Sequence, residues 1–398
     1  MDYRFTPQEE QFRQEIREFL RTELPPEREE GEEAEGDEGW EFRRQFHRKL
    51  AAKGWLVPHW PKEYGGNDMG IMEQVVMREE MGYARAPLLD IFGVNMIGPV
   101  LMMYGTEEQK KQHLPGIASG DVMWCQGYSE PGSGSDLASL QTRAVRDGDD
   151  YVINGQKIWT SNAHRADWMF LLARTDPEAP KHKGISFLLT PMKTPGISTA
   201  PLINLAGQHG FNEVFFEDVR TPVSNLVGEE NRGWYVGAAL LDFERSGIGS
   251  SAATRRNLDD LIRYAKEVGT ENREQGGNGA SGRNGTVRHK LAELVIETDV
   301  GRYLSYRVAS MQARGEVPNY EASVAKGYLS ELTQRVAGAG VNIMGLSGQV
   351  RPESKKWARL RGAFTLLYMV SLGQTIAGGT SEIQRGIIAH RGLGLPRG

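Results

Sequence analysis

The chain has 398 residues, 39% hydrophobic and 25% charged, with a formal net charge of -5, long enough for a large core and two or three subdomains. That charge excludes a general nucleic-acid binder, which needs excess cations to replace phosphate counterions, and the single cysteine, Cys125, excludes an intrachain disulfide framework and cysteine-built metal sites. The N-terminus is charged from the start and no apolar run reaches the length of a membrane span, so the expectation is a cytoplasmic enzyme with no nucleic-acid or membrane partner.

From Thr6 to about Gly120 the pattern is helical. Thr6 is placed to cap the first helix, with Pro7 in its first turn and Glu9 three residues after the cap, as in a capping box. That helix is expected to end at Pro25-Pro26. Residues 27–38 hold eight carboxylates among glycines and read as a solvated loop. Helical periodicity resumes from Trp40, with turns at Tyr64-Gly65-Gly66-Asn67 and around Gly105.

From about Val122 to Val227 the pattern becomes strand-like. Tyr151-Val152-Ile153 and Lys157-Ile158-Trp159-Thr160 flank Asn154-Gly155, a pairing that predicts a β-hairpin. Residues 185–189 and 213–216 are further β-rich runs, and together they predict a compact antiparallel β domain. Beyond Gly228 the helical period returns. Val300, Leu304, Val308 and Met311 fall on one helical face, and Leu329, Leu332 and Val336 on another; both stripes read as bundle core. Between two predicted helices, residues 269–285 are rich in Gly, Asn, Arg and Glu and predict a flexible surface loop.

That loop contains Gly277-Asn278-Gly279-Ala280-Ser281-Gly282, formally a dinucleotide-binding glycine pattern. A functional one follows a strand and opens a helix; here the flanks are polar and unpatterned, and the match is read as accidental. The informative segment is Ser129-Glu130-Pro131-Gly132-Ser133-Gly134-Ser135-Asp136, whose small residues permit close backbone approach and whose amides and hydroxyls suit phosphate oxygens. Taken alone it reads equally well as an ordinary Gly/Ser turn. Trp159-Thr160-Ser161-Asn162 is the second candidate: an indole beside hydroxyls suits a flat aromatic cofactor, although a core Trp is the commoner meaning.

In combination these segments resemble the acyl-CoA dehydrogenase family. The resemblance rests on the 129–136 segment, on Asn154-Gly155-Gln156-Lys157-Ile158-Trp159-Thr160-Ser161-Asn162, and on Ala166-Asp167 with Ala173-Arg174-Thr175. It continues through Glu217-Asp218-Val219-Arg220-Thr221-Pro222 and Leu226-Val227-Gly228-Glu229-Glu230 to Gly379-Thr380-Ser381-Glu382-Ile383-Gln384-Arg385. It implies an α+β multidomain fold: an N-terminal helical domain (1–121), a middle antiparallel β domain (122–227) and a C-terminal four-helix bundle (228–398), with FAD between the last two. By position, Gln126, Tyr128 and Ser129 would border the isoalloxazine, Gly134 and Ser135 would meet the pyrophosphate, and Trp159, Thr160 and Ser161 would flank the ring. Thr380 and Glu382 would sit near the adenosine half, with Gly345 a further cofactor contact.

The resemblance also implies the reaction, α,β-dehydrogenation of an acyl-CoA thioester, with an electron-transfer flavoprotein as acceptor and a homo- or heterotetrameric assembly. Many family members carry the catalytic Glu immediately before the closing Gly-Thr; this chain has Gly378 there. A smaller branch carries it on a helix of the C-terminal domain just before an arginine, and Asp242-Phe243-Glu244-Arg245 matches that position. Glu244 is therefore the expected base, with Arg245 and Gly378 beside the substrate; without the resemblance, an exposed Glu-Arg pair on a helix would be the plain interpretation. A second departure is the family's Arg-x-x-Phe-Gly sequence, which appears as Gly282-Arg283-Asn284-Gly285-Thr286 ahead of a helix expected near Val287. That loss leaves open a catalytically silent partner subunit, and the same scaffold also hosts flavin monooxygenases and oxidases.

Overall fold

Thr6 starts the first helix in the way its sequence predicts. Its hydroxyl accepts from the Glu9 amide at 3.2 Å and the Glu9 carboxylate accepts from the Thr6 amide at 2.6 Å, so two otherwise orphaned N–H groups are satisfied. The computed structural model describes residues 4–25, 36–87, 90–243, 248–274 and 280–396. In chain order its regular elements are α1 (Pro7–Glu23), α2 (Gly36–Ala52), α3 (Ile71–Tyr83), α4 (Gly98–Tyr104) and α5 (Glu107–Ala118), then the strands β1 (Trp124–Gly127), β2 (Arg143–Asp147), β3 (Asp150–Ser161), β4 (Trp168–Arg174), β5 (Ile185–Pro191), β6 (Ile197–Ile203) and β7 (His209–Pro222). The helices α6 (Gly233–Phe243), α7 (Ile248–Glu274), α8 (Ala280–Ala313), α9 (Tyr320–Met344), α10 (Ala363–Gln374) and α11 (Ser381–Ile387) follow. These elements form two units interleaved in sequence: a helical unit of residues 1–40, 70–87 and 245–398, and a β-containing unit of 41–69 and 88–244.

The β unit is built on one curled sheet, ordered β1-β4-β2-β3-β7-β6 with β5 added on β4. The sheet is not purely antiparallel: β1 pairs with β4 in parallel, and β2 meets β4 in parallel at Arg143 and Arg174. The predicted hairpin at Asn154-Gly155 is absent. Strand β3 runs through both residues, and the tight turn lies earlier, at Gly148 (φ +62°), joining Asp147 to its partner Asp150. Gly155 instead marks a shift in the β3–β7 register, where a Cβ would stand 2.6 Å from Thr142 Oγ1. It is a bulge glycine, needed for close approach of a neighbouring strand. Alternating side chains of the sheet (Cys125, Tyr151, Ile153, Met169, Leu171 and Val214) form the core on one face. Residues Gly36, Asp37 and Glu38, expected in a solvated loop, are the first turn of α2, where acidic side chains favour the helix dipole; residues 27–35 lie outside the described residues.

In the helical unit α8 packs on α7 and α9, and α9 on α10, around Leu258, Leu261, Leu294, Leu329, Leu332 and Val336. The α9 stripe is therefore core, as its spacing predicts. The α8 stripe is core only in part: Val308 is fully buried and Leu304 and Met311 are half-buried, but Val300 is 43% exposed. The predicted loop at 269–285 is also overturned, because α7 continues to Glu274 and α8 begins at Ala280. The Gly277 to Gly282 pattern thus follows a helix rather than a strand, and Arg283 to Thr286 lie within α8, which begins seven residues upstream of the start expected near Val287; residues 275–279 lie outside the described residues. Glu79 on α3 ties the unit together, accepting from Arg13 (3.2 Å), Arg302 (2.8 Å) and the Tyr306 hydroxyl (2.5 Å). No described helix is long and apolar enough to cross a membrane.

Candidate active site

Strand β1 delivers Gln126, Tyr128 and Ser129 in sequence, and the chain then breaks into the 129–136 loop. A two-residue bridge, in which Glu130 and Ser133 exchange backbone hydrogen bonds, closes this loop, and a buried ion pair anchors its base. The Glu130 carboxylate accepts from Lys157 Nζ (2.7 Å), from the Thr142 amide (2.9 Å) and from the Gln141 amide (2.5 Å), while Lys157 also donates to the Tyr128 carbonyl (3.1 Å). Lys157 is completely buried, and burial, opposed by Glu130, pulls its ammonium down to about 8. Burial works against the Glu130 charge too, but Lys157 and the backbone amides outweigh it and hold the carboxyl below its ordinary value. The clamp fixes the loop's base while its tip stays open. Added Cβ atoms at Gly132 and Gly134 would meet nothing within 4 Å, and the amides of Gly134, Ser135 and Asp136 have no acceptor among the described residues. Beside the base of the loop is a cavity of about 470 Å³ lined by Pro131, Gly132, Ser133, Gln141, Thr142 and Gln156.

The next segment of β3 is tied to this loop by the Ile158 amide, which donates to the Ser129 carbonyl at 2.9 Å. A second bulge, between Lys157 and Thr160, puts Trp159 in the left-handed region (φ +60°). Such a conformation is unfavourable for a bulky residue, and here it turns the indole outward, 60% exposed, with its edge to Phe211. Fully buried Asn212 donates to the Thr160 carbonyl at 3.1 Å, and half-buried Ser161 pairs with Phe211 on β7. The Thr160 hydroxyl is buried without a partner among the described residues. Tyr128 follows β1 with its ring buried edge-on to Phe170.

The remaining candidates lie in the helical unit. Gly378 (φ +64°) and Gly379 (φ +90°) form a left-handed turn ahead of Thr380, whose hydroxyl accepts from the Ile383 amide and caps α11. Thr380 and Glu382 line one cavity of about 640 Å³ together with Thr375, Ile376, Gln334 and Arg385. Gly345 (φ +61°) ends α9 and begins a short 3-10 turn; it is not part of that cavity. Glu244 and Arg245 lie outside the described residues.

These features fit FAD. Free amides behind exposed glycines suit a diphosphate, and an outward-facing indole beside an orphaned hydroxyl suits a flat conjugated ring. Sequence reasoning missed the roles of the residues that hold these groups in place: Lys157, Glu130 and Asn212. The one available signal was a charged residue at an inward-facing strand position, Lys157. No group of His, Cys, Asp and Glu side chains among the described residues is arranged to hold a metal ion.

Family models match nearly the whole chain: the acyl-CoA dehydrogenase N-terminal domain at residues 6–121, the middle domain at 125–219 and the C-terminal domain at 231–393. The acyl-CoA dehydrogenase FadE26 of Mycobacterium tuberculosis is 38% identical over 402 residues, spanning 99% of this chain and 98% of that protein. Among solved structures, the Tcur3481-Tcur3483 steroid ACAD is similar with a TM-score of 0.87 at 39% identity, and the ChsE4-ChsE5 complex from Mycobacterium tuberculosis with a TM-score of 0.88 at 37% identity; each comparison covers 100% of both chains. The chain belongs to the acyl-CoA dehydrogenase family of flavoprotein oxidoreductases.

Proposed function

We propose that this protein is the catalytic subunit of an FAD-dependent dehydrogenase acting on a bulky, branched or ring-bearing acyl-CoA. The observation that carries the reading is the loop Ser129 to Asp136, clamped at its base by Glu130 and Lys157 and open at its tip, beside the outward-turned Trp159. When bound, FAD supplies the hydride acceptor for the substrate's β hydrogen. Ser129 and Ser161 orient the ring by hydrogen bonds, and the amides of Gly134 and Ser135 hold the diphosphate. Thr380 and Glu382 serve the adenosine half. The domain limits that go with this reading are 121/122 and 227/228.

Glu244 removes the substrate's α proton. A carboxylate does this near neutral pH only where desolvation raises its affinity for protons, so the substrate must exclude water as it binds. Arg245 lies beside the acyl-CoA. The amide of Gly378 donates to the thioester oxygen, stabilising charge that develops there as the α proton leaves. Because Gly378 carries no side chain, and a Cβ there would meet nothing within 4 Å, the space beside the reacting carbons is left for a large acyl group. The likeness to a steroid ACAD supports that assignment. The likeness to a two-protein complex supports a heterotetramer, and an electron-transfer flavoprotein in the cytoplasm completes turnover.

The test is an anaerobic titration of the purified protein with octanoyl-CoA, isobutanoyl-CoA and cyclohexanecarbonyl-CoA. The reading expects bound FAD, an oligomer, and faster bleaching by the branched and ring-bearing thioesters. A colourless protein that takes up FAD only with a second chain would favour the silent-subunit alternative, and preference for the straight chain would remove the assignment of Gly378.

A further inference from the structure

The turn at Gly378 and Gly379 is held from an unexpected direction. Both residues have positive φ, yet a Cβ at Gly378 would meet nothing, so backbone conformation rather than lack of space calls for glycine at 378. The two carbonyls of this turn face inward. Lys326 Nζ, from α9, donates to the Gly379 carbonyl at 2.6 Å, and Gln384 Nε2 donates to the carbonyls of Gly378 (3.0 Å) and Gly379 (3.3 Å). With both carbonyls engaged, the amides of Gly378, Gly379 and Thr380 are left without an acceptor among the described residues.

Lys326 is a costly way to pack this space. It is half-buried, burial pulls its ammonium down with Glu331 acting in the opposite direction, and no carboxylate among the described residues forms an ion pair with it. A partly desolvated cation whose hydrogen bond goes to a main-chain carbonyl is unfavourable unless that bond matters. A charge-assisted bond both fixes a peptide's orientation and polarises it, strengthening donors along the same chain of peptides.

We propose that Lys326, assisted by Gln384, is a positioning residue for dehydrogenation: it locks the Gly378–Gly379 turn so that the Gly378 amide meets the thioester oxygen. The proposal rests on the reading that Gly378 lies beside the reacting carbons. Lys326 touches neither substrate nor cofactor; it acts through the peptide it holds.

The experiment uses the FAD-loaded enzyme, the acyl-CoA of the panel above that bleaches it fastest, and the S-alkyl-CoA thioether of the same chain, which lacks the carbonyl oxygen. Wild type should bind the thioester about 3- to 10-fold more tightly than the thioether, the ratio expected of one hydrogen bond to the ground-state carbonyl oxygen. Lys326→Met should lose most of that ratio with thioether affinity unchanged, and should slow flavin reduction by about 10- to 100-fold. Lys326→Gln, which keeps a neutral donor, should fall between, and it carries the same comparison should Lys326→Met fail to fold. A Lys326→Met enzyme with the wild-type ratio and reduction rate overturns the proposal. A wild type with no preference for the thioester overturns the reading of Gly378 beneath it.

Discussion

Each of the two units buries a cluster of charges, and the two clusters do different work. In the helical unit Glu79 gathers Arg13, Arg302 and the Tyr306 hydroxyl from α1 and α8; every partner belongs to a helix already packed through apolar side chains. In the β unit Glu130 and Lys157 connect a strand to a loop that has little apolar burial of its own, since Pro131, Gly132, Gly134, Ser135 and Asp136 are all exposed. The first cluster adds to a structure that exists without it. The second anchors the base of its loop, beside the Glu130–Ser133 bridge and the buried Ser133 hydroxyl that donates to the Asp136 carbonyl, so its loss should be felt in ligand binding as well as in stability.

The largest effect should follow from Lys157→Met. It leaves Glu130 as a buried carboxylate with two amides but no cation, and breaking a buried pair in this way costs about 3–5 kcal/mol. Denaturant unfolding should register that loss, and flavin absorbance after gel filtration should fall with it. Glu79→Gln should cost less, about 2–3 kcal/mol, because Arg302 is 43% exposed and stays hydrated. Its flavin content should match wild type; equal loss of flavin in both variants would erase the distinction between the clusters.

A smaller effect separates burial from pairing. His113, on α5, lies edge-on to Trp124 (5.2 Å) and Trp168 (4.6 Å), and burial alone pulls its pKa down to about 4. The folded state thus holds it neutral while the unfolded chain takes up a proton near its ordinary value of 6.5. The resulting stability is present above pH 6.5 and is lost as pH falls toward 4. Relative to His113→Leu, wild type should lose about 3 kcal/mol between pH 7 and pH 4. Parallel pH curves for the two proteins would contradict this.

What could be read from the sequence follows how local the physics is. The loop at 129–136, the segment 154–162 and the turn at 378–382 are contiguous, so residue type and spacing expose them directly. The pair Glu130–Lys157 joins residues 27 apart and the Lys326–Gly379 bond spans 53; neither separation has a periodicity to announce it. Asn154-Gly155 misleads because a bulge and a hairpin turn both call for backbone freedom, and only the close approach of Thr142, just ahead of β2, distinguishes them. Residues 269–285 look like a loop by composition, but most of them extend the ends of α7 and α8, where long helices (27 and 34 residues) tolerate poor formers because propagation is far easier than nucleation.

The central claim is that Glu244 is the base, and replacing its proton-accepting ability without changing its shape tests it most directly. In Glu244→Gln, FAD and acyl-CoA should still bind, and anaerobic stopped-flow bleaching of the flavin should slow by at least about 10²- to 10⁴-fold, the usual worth of a general base. Reintroducing a carboxylate as Glu244→Gln with Gly378→Glu should restore part of the rate if both positions reach the same α carbon. A Glu244→Gln enzyme that reduces its flavin at near the wild-type rate would contradict the account and place the base elsewhere.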